Sequence, residues 1–179
     1  MFKSALGQDS HRFEERHSKK PLMLAGVKIP GCPGLLGNSD ADVVLHALTN
    51  AVSGISGVNI LGTVSDRMCL KQGVKDSRAY LKKALSTLGD YRCVHVSVAI
   101  EAARPKLEKH IPAMKRSLAR ICVLTAADIG ITATTGEGLT SFGRGEGIQA
   151  FVMVSAVSSS QMQAFRRSAA PEKARNPRC

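Results

Sequence analysis

Three residues in the N-terminal quarter of the sequence could bind a metal ion. Asp9 and His11 lie two residues apart in a predicted strand over residues 5–13, so the period of two places both side chains on one face. His46 lies in a predicted helix that begins near Ser39. Two histidines and one aspartate form a plausible ligand set for a zinc ion whose fourth position stays open, as in catalytic zinc sites.

The polar side of the same helix supports a site at this place. Opposite the apolar stripe, which recurs every 3.6 residues, the helix carries Ser39, Asp42, His46 and Asn50. This stripe lacks the Lys and Glu that are typical of solvated helix faces, so we interpret it as a site lining. Ser39 and Asp42 also resemble a capping box that starts the helix. The N–H groups at the helix N-terminus could hydrogen-bond a phosphate group, and an oxygen of that phosphate would be the fourth zinc ligand.

An isolated Asp-x-His pair has low specificity, because a single histidine is more often a surface or hydrogen-bonded residue than a metal ligand. From the residue types alone, both interpretations stay open. The other three histidines, His17, His95 and His110, are expected to have structural or solvent-facing roles.

The elements that must position these residues alternate between strands and helices. A strand or hairpin is predicted over 22–29, and strands are predicted over 94–100, 128–135 and 147–157. A second helix is expected from Asp76 or Ser77 to Leu88, with Gly89 as its terminator, and a third opens at Pro112. This order predicts an α/β or α+β sandwich of helices on a mixed sheet.

Composition restricts the class of protein. The chain has 179 residues, 44% of them hydrophobic, which fits one folded domain. No apolar run is long enough to span a membrane, and the first 13 residues lack the apolar region of a signal peptide. The five cysteines are scattered without a C-x-x-C pair, which argues against a disulfide framework and favours a cytoplasmic location.

The net charge of +11 raises nucleic acid, membrane surfaces and phosphorylated ligands as partners. The absence of Trp and the 4% content of aromatic residues argue against a base-stacking surface for nucleic acid. Residues 158–179 carry a net charge of +4 without apolar periodicity, so we interpret them as a flexible basic tail after a single domain over 1–157.

Six sequence blocks follow one another along most of the chain. They are GQDSHRF (7–13), GVKIP (26–30), SDADVVLHAL (39–48), PK (105–106), HIP (110–112), and ATTGE (133–137) with GRGEG (143–147). In this order they resemble the 2-C-methyl-D-erythritol 2,4-cyclodiphosphate synthase family, over residues 3–157. Each block alone is modestly specific, whereas six blocks in order are highly specific.

The resemblance implies an α+β fold in which helices pack on one face of a mixed four-stranded sheet with a small hairpin. It implies a homotrimer with active sites between neighbouring subunits. The implied reaction is cyclisation of 4-diphosphocytidyl-2-C-methyl-D-erythritol 2-phosphate with release of CMP, in non-mevalonate isoprenoid precursor synthesis. The implied zinc ligands are Asp9, His11 and His46, the same three residues that the spacing indicates.

The resemblance also implies roles for other residues. Glu137 would bind a second ion, Mg²⁺ or Mn²⁺, and Thr135 would hydrogen-bond the phosphates. Ser39 would meet the 2-phosphate, and Asp66 would face the methylerythritol end. The backbone around Ala102, Pro105 and Leu107 would contact cytosine. Lys106 and Thr134 would lie near the CMP phosphate. Arg144 and Glu146 would line a central channel of the trimer, where an isoprenoid diphosphate would bind. For 143–147 the alternative is a tight turn into the last strand.

The sequence departs from the family pattern in the methylerythritol and ribose contacts. Asn38 stands where His is common, Asn50 where Asp is common, and Gly136 replaces a Thr. Residues 59–62 lack the usual Asp of the ribose contact. An amide can hydrogen-bond but cannot act as a base, so these changes bear on substrate orientation and turnover and leave the metal ligands intact.

Three other functions remain open at this stage. A divergent relative could bind nucleotide or isoprenoid diphosphate without turnover. A basic RNA-binding domain would explain the charge and would bind with steep salt dependence. A zinc phosphohydrolase would use metal-activated water on generic diphosphates.

Overall fold

A computed structural model describes residues 1–162. Its strands are β1 (Phe2–Arg12), β2 (Pro21–Leu24), β3 (Val27–Pro33), β4 (Tyr91–Glu101), β5 (Ile129–Thr134) and β6 (Gly147–Ser158). Its helices are α1 (Val43–Ser56), α2 (Thr63–Asp66) with a following π-helical turn (Arg67–Lys71), α3 (Ser77–Leu85) and α4 (Ile111–Cys122), and short 3₁₀ turns lie at Glu108–His110, Ala126–Asp128 and Gly136–Gly138. Most of the predicted basic tail, residues 163–179, lies outside the described residues.

Four strands form one mixed sheet in the order β1-β6-β4-β5, and β2 and β3 form a separate hairpin. Strands β4 and β5 pair in parallel, which is possible because α4 provides the crossover between them, and the other pairs are antiparallel. The predicted fold class, a mixed four-stranded sheet with helices and a small hairpin, is confirmed.

The helices cover one face of this sheet. Helix α1 packs on β1 and β6, α3 packs on α1, and α4 packs beside β5. Alternate residues of β6 point into this layer, and all of them are buried: Ile148, Ala150, Val152, Val154 and Ala156. The core of the protein therefore lies between the sheet and the helices.

The opposite face of the sheet has no covering layer within residues 1–162. Leu6 of β1 is 62% exposed and pairs in register with Met153 of β6, which is 50% exposed. Phe151, two residues before Met153, is 40% exposed on the same face. Large apolar side chains on an open sheet face are typical of an interface with another chain.

Helix α1 begins at Val43 and is capped by Asp42, so the predicted capping box at Ser39 is wrong. The Asp42 carboxylate accepts hydrogen bonds from the backbone N–H groups of Val44 and Leu45 at 3.1 and 3.0 Å. The Ser39 hydroxyl instead accepts from the N–H of Ala41, in the turn before the helix. The cap therefore lies three residues later than the sequence pattern indicates.

Strand β1 crosses α1 at very close range. A Cβ atom on Gly7 would lie 2.1 Å from the carbonyl oxygen of Ala47, so only glycine allows this approach. Two and four residues after Gly7, on the same face of β1, are Asp9 and His11. The crossing thus brings both side chains beside the first turns of α1.

The end of α3 and one further segment differ from the sequence prediction. Helix α3 ends at Leu85 rather than Leu88, so Gly89 is not its terminator. Residues 63–71 form α2 and the π-helical turn, for which the sequence showed no clear period. None of the helices within residues 1–162 is long and apolar enough to cross a membrane.

Candidate metal centre

The structure brings Asp9, His11 and His46 together. The Oδ2 atom of Asp9 lies 3.2 Å from Nε2 of His11 and 3.0 Å from Nδ1 of His46. One donor atom from each residue lies within 4.8 Å of the others, and within residues 1–162 no other trio of His, Cys, Asp or Glu meets this condition. The three residues could hold a divalent metal ion.

Two elements fix this geometry. Asp9 and His11 are both half-buried on the helix-facing side of β1, as their spacing predicts. His46 lies in the first turns of α1 and is 8% exposed. Each ligand therefore stands on a regular element whose position is set by the packing of β1 on α1.

The electrostatics of the cluster keep the carboxyl group ionised. Burial by itself would raise the pKa of Asp9, but hydrogen bonds from His11 and His46 outweigh it and lower the pKa to about 2. The hydrogen bond to Asp9 likewise raises the pKa of His11, against the effect of burial. A carboxylate between two imidazoles is thus available near neutral pH as an oxygen ligand.

A cavity of about 280 Å³ lies beside the cluster. His11 and His46 form part of its wall. Asn38, Ser39 and Asp66, three of the predicted substrate contacts, also line it. The Ser39 hydroxyl is 3.5 Å from Nε2 of His46. A small polar ligand in this cavity would contact the metal position and these three side chains together.

A second group of predicted residues lies at the other edge of the sheet. Thr134 ends β5, and its carbonyl accepts the N–H of Ala102 at 3.0 Å. Ala102 and Leu107 are buried and anchor the backbone of this segment. The polar side chains nearby are exposed, namely those of Lys106, Thr135 and Glu137. Pro105, half-buried, lies between them.

The sheet register separates the two groups within one chain. Asp9 pairs with Ala150, Ala150 with Ile100, and Ile100 with Ala133. Three strand spacings of about 4.8 Å amount to about 14 Å between the Asp9 and Ala133 backbones. In a single chain, the strands that carry the two groups therefore lie at opposite edges of the sheet.

The predicted polar stripe of α1 does not form one continuous lining. Asp42 is fully buried and also accepts N–H hydrogen bonds from Ala25 and Gly26 of the β2–β3 turn, at 2.9 and 2.6 Å, so its role is structural. The side-chain amide of Asn50 donates to the carbonyl of Gln8 at 3.1 Å and ties α1 to β1. Only Ser39 and His46 of the stripe line the cavity.

Arg144 belongs to an exposed charged cluster in the loop before β6. Its Nε atom lies 3.1 Å from Glu146, and the other carboxylate oxygen of Glu146 lies 3.2 Å from Arg12. The two arginines lower the pKa of Glu146 through these hydrogen bonds. Residues 143–147 thus form a turn whose charges are paired with each other within the chain.

A larger cavity, of about 960 Å³, lies elsewhere, between the ends of α3 and α4 and the start of β4. It is lined by residues such as Leu85, Arg92 and Cys122, and it contains none of the predicted site residues. Cavity volume and the cluster of candidate metal ligands therefore point to different parts of the protein.

A sequence profile of the YgbB family matches residues 2–157, nearly the whole described chain. The chain belongs to the YgbB family. It is 41% identical over 155 residues to the 2-C-methyl-D-erythritol 2,4-cyclodiphosphate synthase of Chlamydia felis. The alignment covers 86% of this chain and 88% of that relative. The family resemblance drawn from the six sequence blocks is confirmed, and with it the expectation that the chain is an enzyme.

Solved structures give the same result. A 2C-methyl-D-erythritol-2,4-cyclodiphosphate synthase in its CDP-bound form is 31% identical, with a TM-score of 0.77 over 87% of this chain and all of that chain. The bifunctional IspDF of Campylobacter jejuni is also 31% identical, with a TM-score of 0.80. The match covers 88% of this chain but only 42% of that larger protein.

Proposed function

We propose that this YgbB-family enzyme converts 4-diphosphocytidyl-2-C-methyl-D-erythritol 2-phosphate into 2-C-methyl-D-erythritol 2,4-cyclodiphosphate and releases CMP. The observation that carries the proposal is the cluster of Asp9, His11 and His46 beside a small polar cavity, in a chain 41% identical to a synthase of that name. The product places the reaction in the synthesis of isoprenoid precursors.

Zinc is the metal that we propose for the cluster. Tetrahedral zinc with bonds of about 2.0–2.2 Å separates its ligand atoms by about 3.3 Å. The observed separations of 3.0 and 3.2 Å between Asp9 and the two histidines are close to this value. When bound, zinc would supply a positive charge that polarises a phosphate oxygen of the substrate.

The chemical step needs no protein nucleophile. The 2-phosphate of the substrate attacks the β-phosphorus of its own diphosphate, the bond to the CMP phosphate breaks, and CMP leaves with the electron pair. The work of the protein is to orient these groups and to neutralise their charge. We assign the 2-phosphate and methylerythritol side to Asn38, Ser39 and Asp66, which line the cavity beside His46.

We assign the cytidine side to the opposite edge of the sheet. Backbone groups around Ala102, Pro105 and Leu107 would contact cytosine, and Lys106, Thr134 and Thr135 would contact phosphates. Glu137 would hold a Mg²⁺ or Mn²⁺ ion, since hard cations prefer carboxylate and phosphate oxygens. Support comes from the exposure of these polar side chains on an anchored loop, and from the CDP-bound form of a similar synthase.

A homotrimer would join the two halves of the site. Within one chain the strands that carry the two halves are about 14 Å apart across the sheet, and a contact between two copies would bring the halves of neighbouring chains together. The open sheet face with Leu6, Phe151 and Met153 offers an apolar surface for such a contact. In this arrangement, each active site takes its zinc ligands from one subunit and Glu137 from the next.

A second candidate is a relative that binds the nucleotide without turnover. The observation that favours it is the identity of two side chains. Asn38 replaces a common His in the cavity, and the amide of Asn50 donates to the carbonyl of Gln8, where the common Asp could not donate. Neither Asn can serve as a base.

We further propose that residues 1–157 form a single domain of this family and that residues 158–179 are a basic tail outside it, as the match to the family over residues 2–157 supports. A reducing, cytoplasmic location fits the free thiols of the described residues, Cys32, Cys69, Cys93 and Cys122.

Phosphorus NMR of the reaction distinguishes these functions. Zinc-loaded protein is incubated with the substrate and Mg²⁺, beside a His46→Ala variant. Appearance of CMP together with a cyclic diphosphate, lost in His46→Ala, is the expected result. CMP with a linear phosphorylated product would indicate a phosphohydrolase, and unchanged substrate with retained CDP binding would indicate a binder.

A further inference from the structure

We propose that Ser77, held by Asp40, is a positioning residue that fixes the imidazole of His46 with its Nδ1 atom toward the metal. The inference rests on the metal site proposed above and adds two residues to it. Neither residue is a ligand, and the six sequence blocks do not include Ser77.

Ser77 lies directly behind His46. Its hydroxyl oxygen is 2.8 Å from the Nε2 atom of His46, whereas the Nδ1 atom on the other side of the ring faces Asp9 at 3.0 Å. Ser77 is fully buried, so no solvent competes for this contact. The imidazole is therefore held from both sides, and only one side belongs to the metal cluster.

Asp40 holds Ser77 through two contacts. The Ser77 hydroxyl makes a short hydrogen bond to Oδ1 of Asp40, and the backbone N–H of Ser77 donates to Oδ2 at 3.1 Å. The backbone N–H of Asp40 donates in turn to the carbonyl of Lys75 at 2.8 Å. These bonds fasten the loop before α1 to the start of α3, so the Ser77 hydroxyl has little freedom to move.

The hydrogen-bond directions follow from the inventory of donors. Ser77 has a single hydroxyl hydrogen, and the carboxylate of Asp40 can only accept, so this hydrogen points to Asp40. The Ser77 oxygen is then left as an acceptor for the N–H at Nε2 of His46. A metal ion would take the place of the proton that Nδ1 donates to Asp9. The imidazole then keeps only its proton on Nε2, which is the tautomer that the metal site requires.

No other side chain in the described residues provides an equally short contact to Nε2. The hydroxyl of Ser39 is 3.5 Å away, the upper limit of a hydrogen bond, and already accepts the N–H of Ala41. The Tyr80 ring packs beside His46 with 6.1 Å between the ring centres, and its hydroxyl donates to the carbonyl of Val74. Ser77 is therefore the group that sets the orientation of the ring.

The test compares Ser77→Ala with Ser53→Ala. Ser53 is a matched control, since it is also a buried serine but its hydroxyl has no hydrogen-bond partner among residues 1–162. Zinc affinity is measured by competition with a chromophoric chelator. We expect Ser77→Ala to bind zinc about 10- to 100-fold more weakly than the wild type, as for other groups behind a metal ligand, and Ser53→Ala to bind as the wild type does.

The NMR signals of the His46 ring provide a second test, because they would not change if the role of Ser77 were purely structural. In protein labelled with ¹⁵N-histidine, the His46 signals are assigned with a His46→Gln variant. The zinc-loaded wild type should show a slowly exchanging proton on Nε2. In Ser77→Ala this proton should exchange quickly, and Ser77→Thr, which keeps the hydroxyl, should restore both its protection and the zinc affinity.

Asp40→Asn tests the same chain of hydrogen bonds with almost no change in shape. Two fixed backbone N–H groups face the carboxylate of Asp40, that of Ser77 at 3.1 Å from Oδ2 and that of Asp42 at 3.4 Å from Oδ1. The amide oxygen keeps the shorter of these two hydrogen bonds, so the amide nitrogen faces the Ser77 hydroxyl and donates to it. The hydroxyl hydrogen then turns to Nε2 of His46 and favours the proton on Nδ1, where it blocks the metal. We expect weaker zinc binding, and no slowly exchanging proton on Nε2 in the zinc-loaded variant, so the test does not depend on the folding of Ser77→Ala.

Zinc binding by Ser77→Ala and Asp40→Asn within about twofold of Ser53→Ala, with unchanged His46 signals, would overturn the inference. Absence of zinc binding by the wild type would overturn it together with the metal site. Weaker zinc binding by both variants, in a protein that releases no CMP from the substrate, would uphold the inference and reject the proposed reaction.

Discussion

Gly7 of β1 and Ala47 of α1 are in direct backbone contact: a Cβ on Gly7 would lie 2.1 Å from the Ala47 carbonyl oxygen and 2.4 Å from the Ala51 nitrogen. The atoms that a larger residue would meet are backbone atoms of a buried helix, which cannot move aside as a flexible side chain could. This contact sets the distance between the strand that carries Asp9 and His11 and the helix that carries His46.

Gly7→Ala should therefore weaken both the fold and the metal site. Forcing β1 away from α1 should cost about 1–3 kcal/mol or more of unfolding free energy. It should also lower zinc affinity, because two ligands move relative to the third. Urea unfolding and zinc competition measure the two effects.

The matched control for Gly7→Ala is Gly130→Ala in β5, where the nearest atom to an added Cβ is 3.9 Å away. Equal stability and zinc affinity of the two variants would show that the close approach of β1 to α1 is not what positions the ligands.

Asp42→Ala should be far more destabilising than Asp76→Ala, although both residues cap a helix. Asp42 is buried and accepts four backbone N–H groups, two of them from the β2–β3 turn, whereas Asp76 is half-exposed and accepts from Arg78. Loss of the exposed cap should cost about 1 kcal/mol. Loss of the buried one leaves several donors unpaired and should cost about 3–5 kcal/mol.

Chemical denaturation of the two capping variants provides the comparison. A cost for Asp42→Ala no larger than that for Asp76→Ala would mean that the hairpin is held in place without this carboxylate. A loss of CMP release with unchanged stability would instead assign Asp42 to the site lining that the sequence predicts.

Zinc affinity should fall as the pH is lowered. The pKa of His11 is raised above its ordinary value of 6.5 by the hydrogen bond to Asp9, and a proton on His11 competes with the metal. Asp9, with a pKa of about 2, stays ionised throughout and contributes no such dependence. Below the raised pKa of His11, the affinity should drop about tenfold per pH unit, the slope for one displaced proton.

The folding stability of the metal-free protein should depend on pH in the opposite direction to the zinc affinity. A raised folded-state pKa of His11 contributes stability below the ordinary value of 6.5, and this contribution is lost as the pH rises through the raised pKa.

Zinc competition from about pH 8 to about pH 5.5, with His11→Gln as a comparison, measures the effect of pH on zinc binding. An affinity in the wild type that is constant over this range would contradict the electrostatic account of the cluster.

Two inactive variants should restore each other's activity if the site is shared between subunits. His46→Ala removes a zinc ligand from one half of the site, and Glu137→Ala removes the proposed ligand of the second ion from the other half. In trimers assembled from equal amounts of both chains, about a quarter of the interfaces join two intact halves. CMP release should therefore recover to about a quarter of the wild-type rate.

Co-purification through a tag on one chain confirms that the trimers are mixed. Mixed trimers without activity would place both halves of the site within one subunit, despite their separation across the sheet.

The sequence alone predicts the pairing of the metal ligands because the relevant patterns are local. The period of two in β1 places Asp9 and His11 on one face, and the helical period places His46 on the polar side of α1. Alternation over residues 94–100, in β4, likewise predicts a strand with one buried face. These features depend on neighbours within a few residues, which a single sequence displays directly.

The features that the sequence does not reveal depend on distant partners. Asp42 caps α1 instead of Ser39 because the N–H groups of Ala25 and Gly26, 16 or 17 residues earlier, converge on its carboxylate. Ser77 meets His46 and Asp40 across 31 and 37 residues. Such contacts arise only when α3 packs on α1.

The separation of Glu137 from the metal ligands is also a property of the sheet. The four strands stand in the order β1-β6-β4-β5, so the first and fifth strands of the chain lie at opposite edges. The family resemblance implies sites between subunits, and the strand order places β1 and β5 at opposite edges of the sheet of one chain.

The most direct test of the metal centre is zinc add-back to metal-stripped protein while CMP release from the substrate is followed at fixed Mg²⁺. The account predicts no release without zinc and a linear rise that ends at about one zinc per chain, as three ligands with one open position require. His11→Gln should stay inactive at this stoichiometry. Full CMP release by the metal-stripped wild type, or equal release by His11→Gln, would contradict the claim that Asp9, His11 and His46 form the catalytic metal site.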